Sequence, residues 1–137
     1  TLTLHERRAR FEAQMGAFPL PDDAHVEAVQ IRAGLGARWY WTDGCDATRA
    51  VLWLHGGAFF LGSSASYADF AVRLARASGA RVLVPDYRLV PEHVFPAATV
   101  DTAHALDWLE REGFDMARVA IGGDSCGGNL AAGAVQG

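Results

Sequence analysis

The sequence predicts an α/β domain, a mostly parallel sheet with helices packed on both faces. Three observations lead there. Apolar runs of the buried-strand kind, Arg49 to Leu54, Arg81 to Val84 and Val119 to Ile121, alternate with stretches of helical spacing. Hydrophobic residues make up 50% of the 137, enough for one domain with a real core. The last apolar run ends in glycines and a serine, Gly122-Gly123-Asp124-Ser125-Cys126-Gly127, where a strand would turn sharply into a helix.

From Thr3 to Gly16 the spacing is helical, with Leu4, Phe11 and Met15 on one side; Gly16 and the prolines at 19 and 21 end it. Val26 to Ile31 alternates apolar and polar and reads as a strand. Gly34 and Gly36 mark a turn, and the aromatic-rich Ala37 to Thr42 reads as the returning strand of a hairpin closed by Asp43-Gly44. Arg49 to Leu54 is a strand buried on both faces and leads into His55-Gly56-Gly57-Ala58. Tyr67, Phe70, Ala71, Leu74 and Ala77 recur as the inward face of a helix stopped by Gly79. Arg81 to Val84 is a strand halted by Pro85, and Asp86 to Pro96 is a loop. Ala97 to Glu112 is a helix facing inward with Ala98, Thr102, Ala105, Leu106 and Leu109. The organisation expected is an N-terminal helical segment over 1–24 and a sheet core over 25–137, in which two antiparallel strands lead the parallel ones.

Composition excludes several classes of function. The formal charge is −4 and the basic residues are scattered, so there is no nucleic-acid footprint. No apolar run approaches a membrane span, and the charged N-terminus does not read as a signal peptide. Cys45 and Cys126 form neither a disulfide framework nor a metal pattern. A cytoplasmic location is the expectation. The chain opens on Thr1 rather than Met and stops at Gly137 inside a helical pattern, so a piece of a longer reading frame is expected.

Gly123-Asp124-Ser125-Cys126-Gly127 fits G-x-S-x-G. A serine on a strand-to-helix turn has a strained backbone and close neighbours, and glycine two residues to either side leaves room for it. Ser125 is thus a candidate nucleophile; the competing reading is a plain helix N-cap. His55-Gly56-Gly57 and Ser125 fall at the carboxyl ends of two different strands, where sites sit in such sheets. The backbone N–H groups of Gly56, Gly57 and Cys126 are the expected donors to an oxyanion. His55 is expected to brace its loop, and Asp124 to orient the turn between Gly123 and Gly127.

Three blocks carry a family resemblance: His55-Gly56-Gly57-Ala58; Asp86-Tyr87-Arg88-Leu89-Val90-Pro91-Glu92 with Phe95-Pro96-Ala97-Ala98; and Gly123-Asp124-Ser125-Cys126-Gly127-Gly128-Asn129. In order and spacing they resemble the N-terminal half of the hormone-sensitive-lipase-like carboxylesterases, a family of α/β-hydrolases. The resemblance implies an α/β-hydrolase fold preceded by a cap helix. It also implies a serine hydrolase acting on short acyl esters, with no cofactor and no metal. Two departures stand out: Ala58 replaces a third glycine, and Cys126 replaces the usual alanine. The family's acid and histidine follow the serine well downstream, and none of the five histidines here takes their place. Asp86 and Glu92 read as loop braces. The 137 residues alone are therefore expected to be inactive, and poorly soluble through an open edge at the Val119 strand.

Trp39 and Trp41 are expected in the core. Phe59 and Phe60, beside the glycines, are better candidates to line an acyl pocket. The expected partner is a small acyl ester, and a homodimer stays open. Two other readings also stay open: a ligand-binding receptor like the plant gibberellin receptor, and an amidase or carbamate hydrolase on the same fold.

Overall fold

The structure is a computed structural model and describes residues 1–136. A helix, α1 (Leu4–Met15), precedes three strands, β1 (Ala24–Arg32), β2 (Leu35–Thr42) and β3 (Asp46–Leu54). Then follow α2 (Ala68–Ser78), β4 (Ala80–Pro85), α3 (Ala97–Arg111), a single 3-10 turn, β5 (Val119–Gly123) and α4 (Cys126–Gln136). The five strands form one sheet in the order β1-β2-β4-β3-β5.

The sheet is mixed: two antiparallel strands lead it, as expected, but two of its four pairings are antiparallel, so it is less parallel than the sequence suggests. β4 and β5 run parallel to β3, but β1 pairs antiparallel with β2 and β2 antiparallel with β4. The cause is loop length. The turn at Asp43 to Cys45 is too short for a crossover, so β3 runs back against the direction of β2. Helix α2 supplies the crossover that makes β4 parallel to β3. β4 then slots between β3 and β2 and meets β2 head to tail.

Helices cover both faces, as the strand patterns require. Val82, Val84 and Tyr40 meet α2 through Ala71, Val72 and Ala75 on one face. Leu52, Leu54, Leu83 and Trp39 meet Ala105 and Leu109 of α3 and Leu130 and Ala131 of α4 on the other. Alternation along β3 and β4 sends successive side chains to opposite cores. Trp39 is core, packed at 5.5 Å from the Phe114 ring.

The inward stripe of α2 differs from the sequence reading. Ala71, Val72 and Ala75 are buried, whereas Phe70 and Ala77 are exposed. Tyr67 precedes the helix, and Phe70 lies over the Trp53 ring at 4.7 Å, at the rim of the core. In α3 the buried set includes Asp101, which accepts from the Arg88 backbone N–H at 2.8 Å and pairs with the Arg88 guanidinium. That pair fixes the loop between β4 and α3.

Candidate active site

β5 delivers the chain to the serine and α4 leaves from it. Ser125 stands between them, exposed, with φ of 53°. A left-handed conformation costs a non-glycine residue about 1–2 kcal/mol, so the surroundings must impose it. The surroundings are tight. A Cβ on Gly127 would lie 1.8 Å from the Leu54 carbonyl oxygen, and one on Gly123 would lie 2.3 Å from the Gly127 carbonyl oxygen. Strand β3, strand β5 and helix α4 thus converge with backbone against backbone, and only glycine fits at either position.

Asp124 ties this turn to the glycine loop that follows β3. Its carboxylate accepts from Trp53 Nε1 at 3.2 Å, the Gly56 N–H at 3.0 Å and the Tyr67 hydroxyl at 2.7 Å. Burial and the adjacent carboxylate push the Tyr67 phenol up, so it stays a donor. Tyr67 is a positioning group that the sequence reading placed on a helix face; its partner lies 57 residues away and no local pattern announces it.

The same geometry occupies one expected donor. The Gly56 N–H is directed at Asp124 Oδ1 and the Tyr67 oxygen, both at 3.0 Å, so it has none to spare for a ligand. Its neighbours differ. The N–H groups of Gly57, Ala58 and Cys126 meet no acceptor among the described residues. The chain reverses at Ala58 and Phe59, with φ of 55° and 68°, and the Phe59 N–H points to Cys126 Sγ at 3.2 Å. That contact sets the glycine loop directly against the N-terminus of α4, where backbone N–H groups favour negative charge.

His55 is buried and packed beneath the loop, stacked on the Tyr87 ring at 4.4 Å. Its Nδ1 donates to the Gly56 carbonyl at 2.8 Å, and burial pushes the imidazole down, so it remains neutral. Gly62 passes so close that a Cβ there would lie 2.6 Å from that ring nitrogen. Asp86 accepts from the Ser64 N–H at 2.6 Å and from its hydroxyl at 2.7 Å. Glu92 accepts from Arg8 of α1, which holds its carboxyl down at about 2. Among the described residues no histidine or carboxylate hydrogen-bonds Ser125 Oγ, and no cluster of metal-ligating side chains occurs. No described helix is long and apolar enough to cross a membrane.

Beside Ala58 and Phe59 lies an apolar groove of about 510 Å³, bounded by Val90, Ala98, Leu130 and Gly133. Phe59 lines it and Phe60 does not.

Comparison with known proteins agrees with the fold. A family model described as alpha/beta hydrolase fold matches residues 51–137. Esterase LipI of Mycobacterium tuberculosis is 39% identical over 113 residues, covering 77% of this chain and 35% of its own length. Carboxylic ester hydrolase LipN of the same organism is 37% identical over 135 residues, 91% of this chain and 36% of its own. A crystal structure of an esterase from the bacterial hormone-sensitive lipase family superposes with a TM-score of 0.91 at 40% identity. It covers 96% of this chain and 44% of that one. The chain thus spans about a third of the length of the curated relatives it matches. On fold, motifs and comparison together, the chain belongs to the α/β-hydrolase fold family and is related to the esterases and lipases of the hormone-sensitive-lipase group, matching the N-terminal portion of larger members.

Proposed function

We propose that this chain carries the nucleophile and the oxyanion donors of a serine esterase acting on short acyl esters. One observation carries the reading. Ser125 is held exposed and strained, with three backbone N–H groups (Gly57, Ala58 and Cys126) left without acceptors on the segments that meet beside it. The proposed donor set therefore keeps Gly57 and Cys126 and takes Ala58 in place of Gly56.

On this reading Ser125 Oγ attacks the ester carbonyl carbon and the carbonyl oxygen becomes an oxyanion among those donors. The C–O bond to the alcohol then breaks, leaving an acyl-serine that water hydrolyses. A donor of this kind is worth about 3–4 kcal/mol of barrier. The apolar arm of the ester would lie along the 510 Å³ groove that adjoins Ala58, a volume within the range of small-molecule sites (about 300–1,000 Å³). The base that takes the Ser125 proton, and the carboxylate that orients it, would come from outside these residues; relatives more than twice as long support this. The printed names of those relatives, esterase and carboxylic ester hydrolase, favour esters over amides.

The test uses the product of the complete reading frame that contains these residues. A fluorophosphonate probe should label it, p-nitrophenyl butyrate should be hydrolysed faster than the palmitate ester, and Ser125→Ala should abolish both labelling and turnover. Labelling that survives Ser125→Ala rejects Ser125 as nucleophile. No labelling and no turnover in the wild type favours a binding role. The polypeptide of residues 1–137 alone should show no hydrolysis above background.

A further inference from the structure

Helix α1 contributes one long side chain to the loops beside the candidate site. Arg8 is three-quarters covered, and its guanidinium donates to two backbone carbonyls in different loops. Nε donates to the Phe60 carbonyl at 2.8 Å, and Nη2 to the Val90 carbonyl at 2.9 Å. The outer edge of the fork pairs with both carboxylate oxygens of Glu92. The two loops are joined to each other as well, since the Val90 N–H donates to the Phe59 carbonyl at 2.9 Å. One turn further along α1, Glu12 accepts from the Ser63 hydroxyl. The segment from Phe60 to Ser63 is therefore fastened to α1 at both ends.

That segment continues directly from Gly57 and Ala58. Gly57, Ala58, Phe59 and Gly62 all have positive φ, at 131°, 55°, 68° and 93°. Ala58 and Phe59 are not glycines, and such a conformation persists only where contacts over-determine it. Phe60 and Val90 offer backbone oxygens, which no side-chain change in the loops can remove. A planar, permanently charged fork can reach both at once while binding a carboxylate, and an ammonium cannot.

We infer that Arg8 is a positioning residue: from outside the sheet it clamps the Gly57–Ala58 turn in the orientation that leaves those two N–H groups pointing at the Ser125 side. The inference rests on the oxyanion reading above and adds to it the element that sets the donors. Arg8 does not itself line the groove, so loss of the clamp falls mainly on the rate constant, with a smaller effect on KM through Val90, whose carbonyl it holds.

The experiment compares Arg8→Gln and Arg8→Lys with the wild type in the product of the complete reading frame. Arg7→Gln is the control: a neighbouring exposed arginine with no side-chain partner among the described residues. Arg8→Gln should lower kcat for p-nitrophenyl butyrate by roughly 10- to 100-fold, less than deleting a donor outright, with KM within about threefold. Arg8→Lys should regain less than half of the loss. Amide hydrogen exchange should accelerate in residues 57–63 of Arg8→Gln, while β3, β4 and α3 keep wild-type protection. Unchanged kcat, or unchanged exchange in 57–63, overturns the clamp. A fall in kcat accompanied by faster exchange throughout the sheet also overturns it, because that is general loss of stability. A wild type that neither hydrolyses ester nor labels at Ser125 overturns the esterase reading and with it the catalytic consequence. Exchange in 57–63 then decides the clamp alone.

Discussion

At the scale of single residues, the glycines around Ser125 are set by contact distances. Gly127 and Gly133 lie on the same helix, but a Cβ on the first would stand 1.8 Å from the Leu54 carbonyl oxygen and one on the second meets nothing within 4 Å. Gly127→Ala must push α4 off β3 and should cost about 3 kcal/mol, at the top of the range for overpacking. Gly133→Ala relieves the backbone entropy of a helical glycine and should add about 0.5–1 kcal/mol. Urea unfolding of the two variants checks the pair, and changes of equal sign would refute the steric account. The Gly127 constraint was readable from the sequence, because the spacing in G-x-S-x-G is itself a record of crowding. The role of Gly56 was not. Whether its N–H is free depends on an Asp124 carboxylate 68 residues away, and a run of glycines looks the same with that donor spent or spare.

Elements were legible wherever burial on one face decided them, and misread where a long-range partner did. The apolar runs of β3 and β4 fix buried strands because the side chains from Ala50 to Leu54 and from Val82 to Val84 pack into one core or the other. The spacing finds α2 and puts Ala71 on its inward stripe, as the structure does, but it adds Phe70 and Ala77 and leaves out Val72 and Ala75, because a stripe rotated by one residue reads almost as well. Packing against Val82 and Val84 selects the smaller Ala71 and Ala75 with Val72. Asp101 was missed for the converse reason: a carboxylate on a helix reads as outward until its arginine is known. The entry to α2 offers a test at this scale. Tyr67 binds the helix start to Asp124 and Gly56 across the sheet top. Tyr67→Phe removes a hydrogen bond to a carboxylate and should cost about 2 kcal/mol, with the ring packing retained. A change below about 0.5 kcal/mol, measured by denaturant titration, would mean that Asp124 is held by Trp53 and Gly56 alone.

The whole molecule is asymmetric at its two sheet edges. β1 presents Glu27, Gln30 and Arg32 along its length, the charged and polar residues that discourage further pairing. β5 reads Val-Ala-Ile-Gly-Gly, carries no charge, and pairs only with β3 among the described strands. Its outer backbone groups are an open template, flanked by the half-buried Val119 and Ile121. The mixed sheet sharpens the contrast, since the hairpin that made β2 antiparallel also put the polar strand on the far side. A polypeptide of residues 1–137 should therefore self-associate through β5. Sedimentation velocity over a tenfold concentration range should show the average mass rising. Ala120→Lys, on an exposed position of β5, should suppress the rise, whereas Ala28→Lys on β1 should leave it unchanged. Equal suppression by both would refute the edge account, and net charge would not explain it, since each lysine takes the formal charge from −4 toward zero and so weakens the repulsion between chains. Suppression by the β5 variant alone would locate it at the strand that delivers Ser125. The surface that limits solubility would then be continuous with the strand that positions the proposed nucleophile, and covering that edge would steady the Ser125 turn as well as keep the chain dispersed.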